Sequence, residues 1–265
     1  MNIPPPRKPL LLLSLAALVL AGCFDPAASP PAVTPAVSPA PSPESGAVPP
    51  EVVEAPVFEN WEVFKIGESK VGHGHTRAEW IEEEGRRLLK TVSRMELRIR
   101  RFEQVISQDL SLTSVETPEG RLVRYETRMT GGGAPTVSRG RVEGDSLVVE
   151  VQTVGRPQTV KIPWKAEWGG LFAAEQSLRE DPLEPGETRR ITSLSPFNSP
   201  AETVLTAIDY ETTELLTGKH ELLKIDTSVE LQGNAIRSTS WADRQGEIVK
   251  TFTPGLNHLS FRTVK

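Results

Sequence analysis

The stretch 57–265 predicts a mainly β domain: a large, curved antiparallel meander, a half-barrel, with one short helix near 170–180. Two observations predict it. Apolar and polar residues alternate with period two through most of the stretch, and turn residues interrupt them at short intervals. The period changes once, at "GGLFAAEQSLRE", 169–180. A sheet of so many strands must curl. Its concave face then either packs on the helix or encloses a groove.

The elements follow in order. "WEVFKIGESKVGHGHTRAEW" reads as strand, Gly-containing turn, strand. "RRLLKTVSRMELRI" places Leu89, Thr91, Met95, Leu97 and Ile99 on one face and Lys90, Arg94, Glu96 and Arg98 on the other. Met95, Ile99, Phe102, Ile106 and Leu110 also fit a helical face, but the alternation runs straight into them, so strand is expected. "TPEGRLVRYETRM" is a turn and a strand. Glu143-Gly144-Asp145 and Gly155-Arg156-Pro157 mark two hairpins. Good helix formers in 169–180 put Leu171, Ala174 and Leu178 on one face, and "DPLEPGE" stops that helix. Alternation resumes through "AETVLTAIDYETTELL", "GKHELLKIDTSVEL", "AIRSTSWADRQGEIVKTFT" and "LSFRTVK", with turns at Thr217-Gly218-Lys219 and Arg244-Gln245-Gly246.

Ahead of the domain lie two other segments. Residues 1–22 carry Arg7 and Lys8, an apolar run from Leu10 to Leu20 broken only by Ser14, and small residues before Cys23. That is the layout of a secretory signal, too short for a spanning helix. Leu20-Ala21-Gly22-Cys23 resembles the lipobox of bacterial lipoproteins. The resemblance implies lipidation of the Cys23 sulfur, cleavage before it and an extracytoplasmic protein anchored to the cell membrane or outer membrane, on the periplasmic side. Phe24 rather than an acid after the cysteine leans toward the outer membrane, and Asp25 weakens that lean. Residues 23–56 are rich in Pro, Ala and Ser with few aromatic residues, the composition of a disordered, semi-stiff tether.

Cys23 is the chain's single cysteine, so neither a disulfide framework nor a second thiol nucleophile is available. The chain carries a net charge of -5, and removing Arg7 and Lys8 with 1–22, which holds no acid, leaves -7. That balance argues against nucleic acid as a partner and against electrostatic attachment to anionic lipid.

"WEVFKIGESKVGHGH", "RFEQVISQDLSLTSVETPEGRLVRYE", "GRVEGDSLVVE", "IPWKAEWGGLFAAEQSLREDPLEPGETRRI", "DYETTELLTGKHELLKIDTSVEL" and "STSWADRQGEIVKTF" together resemble the N-terminal β-domain of bacterial lipid-anchored transglutaminase-like proteins. "AAEQSLREDPLEPGE" also resembles periplasmic β-domains of unknown function. The likeness spans nearly all of 57–265 and rests on spacing and turns rather than on chemistry. In that family a catalytic Cys-His-Asp domain follows this region, whereas this sequence reads "SFRTVK" at its end. The resemblance therefore implies the front module without the enzyme.

Three constellations are candidates for a site. His73 and His75, two apart on a strand, share a face and are weak candidates for a metal site, needing at least one more ligand from His220, His258 or a carboxylate such as Glu79 or Asp226. A pair of exposed polar residues is the simpler account. Arg86, Arg87, Arg94, Arg98, Arg100 and Arg101 form a basic run, more simply a solvated strand face than an anion site. Of the tryptophans 61, 80, 164, 168 and 241, Trp164 and Trp168 lie before the helix, where a groove would open, although core packing also accounts for them. No G-x-S-x-G, S-x-x-K, phosphate loop or dinucleotide fingerprint occurs.

The expected function is a lipid-anchored binding or scaffolding module without catalysis of its own and without a cofactor. Its expected partners are the membrane, through the lipid on Cys23, and an envelope protein or glycan. Two alternatives stand beside it: the non-catalytic half of a split or truncated transglutaminase-like enzyme, and a metal-capturing lipoprotein using His73 and His75.

Overall fold

A computed structural model describes residues 56–101, 104–131, 134–153, 155, 157–231, 234–254 and 258–262. The leader, Cys23, the tether up to residue 55, and Phe102 lie outside the described residues.

Two meanders make one sheet. The first runs β1 (Phe58–Ile66), β2 (Ser69–Glu83), β3 (Arg86–Arg101), β4 (Gln104–Glu116), β5 (Leu122–Thr130), β6 (Thr136–Glu143), β7 (Ser146–Gln152) and β8 (Gln158–Pro163). The one helix among the described residues, α1 (Ala173–Glu180), follows. The second meander runs β9 (Thr188–Leu194), β10 (Pro200–Leu215), β11 (Gly218–Leu231), β12 (Asn234–Ala242), β13 (Ile248–Thr253) and β14 (His258–Arg262). The sheet order is β8-β7-β6-β5-β4-β3-β2-β1-β14-β13-β12-β11-β10-β9, every neighbour antiparallel, and it does not close into a barrel. Among the described residues the mainly β half-barrel with one short helix is thus the observed fold, and 95–101 and 104–110 are both strand.

The first described strand lies in the middle of the sheet; from it the chain walks to one edge, crosses by α1 to the other, and walks back. Its first and last strands meet with Glu62 opposite Arg262 and Phe64 opposite Ser260. Hairpin pairing of sequence neighbours accounts for twelve of the ladders; only β1·β14 is long-range. Bulges at Phe64/Lys65, Val115/Glu116, Ala207/Tyr210 and Trp241/Ala242 bend the strands and add to the curl.

The crossover also brings the two rims together. Gly169 bridges Arg121 on one side and Ser193 on the other, and a Cβ on it would lie 2.4 Å from that of Ala173. Tyr125 donates its hydroxyl to Asn198 Oδ1 (2.8 Å), and Asn198 Nδ2 donates to Ser138 Oγ (3.2 Å). Leu194 packs with Leu122, Tyr125, Leu147, Val149 and Trp164.

Two further cores flank the helix. Phe64, Met95, Leu97 and Leu112 receive Leu171 and Phe172, while Leu205, Leu223 and Ile225 receive Leu178. The crossover is thus held from both meanders, which is why the concave face is the buried one.

Candidate functional site

α1 plugs one end of the half-barrel. It sits so close to the β12–β13 turn that a Cβ on Gly246 would lie 1.9 Å from the Leu178 carbonyl oxygen. Toward the opposite end, where β3 and β11 end and β4 and β12 begin, burial falls off. Met95 and Leu97 are buried and Ile99 half-buried; Ser240 is buried and Ser238 and Ile236 half-buried. That end is the mouth of a cavity of about 340 Å³ between the helix and the sheet.

Strand register sorts the cavity lining by depth. At the floor, Arg262 of β14 lies opposite Glu62 of β1. One step toward the mouth comes a row of Ser240, Thr251 and Ser260, and then a row of Thr227, Ser238 and Thr253. Val229, Leu231 and Ile236 stand at the mouth. Phe64, Met95, Leu112 and Phe172 form the facing wall.

The floor is an ionic network. Arg262 is held bidentately by Glu175, with Nη1 to Oε2 at 2.8 Å and Nη2 to Oε1 at 2.9 Å. Its Nε faces Glu62 at 3.7 Å without a hydrogen bond, and Glu247 lies 3.8 Å from Nη1. Arg179 approaches Glu247 at 3.5 Å, Asn60 donates to Glu247 (3.0 Å), and the Arg179 guanidinium stacks 3.9 Å over Phe58. The Arg262 side chain is 13% exposed. Burial by itself would push its pKa down, but Glu175, Glu62 and Glu247 outweigh that and raise it. Burial likewise pushes the Glu175 carboxyl up, and Arg262 with Arg179 reverses this to a lowered pKa. Glu175 keeps 30% of its side chain exposed because it also lines the cavity.

Glu116 is a second buried carboxyl, 2% exposed at the end of β4. It accepts a hydrogen bond from Ser114 Oγ (2.6 Å) and abuts the backbone of Gly170, where a Cβ would fall 1.9 Å from its Oε1. Burial pushes its pKa from 4.5 up to about 7, against the Ser114 bond and the charge of Arg179, with Glu180 adding to the rise.

The candidates read from the sequence fall elsewhere. His73 and His75 do share a face, but it is the convex one: they pair with Val63 and Trp61 of β1. His75 Nε2 lies 2.7 Å from Glu59 and its ring stacks on Trp61 at 4.2 Å, while His73 lies 3.9 Å from Glu96. Among the described residues no group of three or more His, Cys, Asp or Glu is placed to hold a metal. The glycine between the two histidines has a packing reason, for a Cβ on Gly74 would touch the Phe64 ring at 3.1 Å.

Trp164 and Trp168 do not line the cavity. Trp164 is 3% exposed in the β5–β7 core, and Trp168 packs edge-on against it at 5.2 Å while lining a separate, polar surface groove beside α1. These residues precede a helix at the plugged end of the half-barrel, and the mouth is at the other. Of the basic run, Arg94, Arg98 and Arg100 are exposed on the convex face, and Arg87 stacks 4.4 Å over Trp80.

No protein-family model matches the chain, and no curated protein matches it. Among solved structures, a DUF1089 family protein from Pseudomonas aeruginosa is 14% identical, with 68% of this chain and 90% of that one covered at a TM-score of 0.36. A candidate exported protein with a YmcC-like fold from Bacteroides fragilis is 10% identical, with 77% and 92% covered at a TM-score of 0.26.

Proposed function

We propose that this chain is a lipid-anchored, extracytoplasmic binding module that holds a ligand inside its half-barrel and performs no chemistry on it. The observation that carries the reading is the cavity. Interiors are packed to the density of organic crystals, with few voids larger than a water. This one leaves about 340 Å³ between helix and sheet. That lies within the size range of ligand pockets, and its lining is largely apolar with a few convergent polar groups, as such pockets are. The anchor rests on the lipobox-like sequence at Cys23 and accounts for how a domain without a long apolar helix among its described residues stays at a membrane. An envelope protein or glycan remains the proposed partner class.

Two outcomes check the reading. The chain expressed from residue 24 onward, without leader or lipid, binds one equivalent of an apolar fluorescent probe such as N-phenyl-1-naphthylamine. The variant Ile236→Arg, which places a charge at the mouth, weakens binding about tenfold or more with an unchanged circular dichroism spectrum. Failure of wild type to bind the probe removes the reading. Separately, fatty-acid labelling in a bacterial host marks wild type and not Cys23→Ser; equal label on both overturns the anchor.

A further inference from the structure

We infer that the ligand of this cavity is a single-chain amphiphile with an uncharged, hydroxyl-bearing head, which enters head first. The inference rests on the reading that the interior is a ligand site, and three observations carry it further.

The first is size. At roughly 30 Å³ for each water, about 340 Å³ is close to eleven water volumes. That is room for a small head and part of one acyl chain and not for a two-chain lipid, and it lies at the small end of ligand cavities.

The second is the order of the lining. Along the β11–β14 wall polarity changes in register steps: ion pairs at the floor, two rows of hydroxyls above them, and Val229, Leu231 and Ile236 at the mouth, where Thr203 of β10 stands opposite Val229. A sheet face that only packs on a helix is best filled by branched apolar side chains. Here Thr227, Ser238, Ser240, Thr251, Thr253 and Ser260 occupy those positions on four adjacent strands. Ser240 and Thr251 lie 3.1 Å apart and bond to one another, and each hydroxyl keeps further donor or acceptor capacity. A gradient from polar floor to apolar mouth is complementary to an amphiphile whose head lies deep and whose tail lies outward.

The third is charge. Three carboxylates, Glu62, Glu175 and Glu247, face two guanidiniums, Arg262 and Arg179, so the floor holds one negative charge in excess. The Arg262 fork is already closed on Glu175. An anionic head meets net repulsion and no open guanidinium. A cationic head meets carboxylates already committed to arginine. A diol or polyol head needs neither, since hydroxyls both donate and accept.

The test is competition for the probe site on the chain from residue 24 onward, with three ligands of equal chain length: monolauroylglycerol, laurate and dodecylamine. Monolauroylglycerol is expected to displace the probe at about tenfold lower concentration than either charged ligand, the worth of one to two hydrogen bonds. The double variant Ser240→Ala/Thr251→Val is expected to keep probe binding and to lose most of that preference. A probe that binds but yields equally to all three ligands, or first to laurate or dodecylamine, overturns the inference and leaves the ligand site standing. Absence of probe binding by wild type overturns both. The wild-type ligand series decides the matter even if the double variant fails to fold.

Discussion

Arg262→Met lowers the stability of the folded domain by about 3–5 kcal/mol, the usual consequence of removing one partner from a buried ion pair. The cause is not a lost attraction alone. Arg262 is the group on which Glu175, Glu62 and Glu247 converge. Without it, three carboxylates stay in a mostly closed site with Arg179 as their one cation. The residue also sits on the only long-range ladder of the sheet, so the β1·β14 join is weakened at the same stroke. For a domain of about two hundred residues the melting temperature drops by roughly 6–20 °C. Adding Glu175→Gln to Arg262→Met recovers a large part of the loss, because the carboxylate that most needs the arginine is gone, and the double-mutant cycle shows coupling well above 1 kcal/mol. Thermal or denaturant unfolding of the 57–265 fragment reads both. An Arg262→Met variant within about 1 kcal/mol of wild type would show that the network is a solvated surface cluster.

Glu116→Gln is the opposite case, a substitution that stabilises. The folded-state pKa of Glu116 is raised from 4.5 to about 7. Between those values the folded chain binds more protons than the unfolded one, so stability falls as pH rises through that window and stays reduced above it. At about 1.4 kcal/mol for each pH unit, ionising this carboxyl in the folded protein costs about 3 kcal/mol by pH 8. Glutamine keeps the shape and still accepts from Ser114, but it never ionises. The variant should therefore melt about 6–12 °C above wild type at pH 8 and within a few degrees of it at pH 5. A gain of equal size at both pH values would mean that glutamine acts through packing and that the pKa of Glu116 is the same in the folded and unfolded states. Glu175 runs the other way: its lowered pKa gives stability that is present above the unfolded value and lost as pH falls through the folded one. The glutamine comparison isolates Glu116 because Glu175 is the same in both proteins.

Much of the candidate site was visible as an anomaly of phase. Glu62 stands two residues before Phe64, Arg262 two after Ser260, and Glu116 two after Ser114, each in the inward phase of its strand or at a bulge beside it. A charge in the apolar phase is the signal that marks a buried ionic group. The serines and threonines of β12 and β13 carry the same mark, since they occupy inward positions that a plain core would give to Val or Ile. Size and aromaticity report burial, and Trp164 accordingly packs in the β5–β7 core while Trp168 lies edge-on against it beside α1.

The alternation, the turn residues and the lone change of period determined the strands, their inward faces and the single helix. These are local properties: period two sets a face, and Gly-containing turns set a hairpin. Only the tertiary structure decided that β1 joins β14, that α1 crosses inside the sheet, and that Glu62, Glu175, Glu247 and Arg262 meet at one floor. Alternation tells a side chain which face it is on but not which distant strand lies beside it. That choice is made by closing a loop of nearly the whole domain, and it is settled by the summed burial of both meanders on one helix rather than by any short stretch of chain.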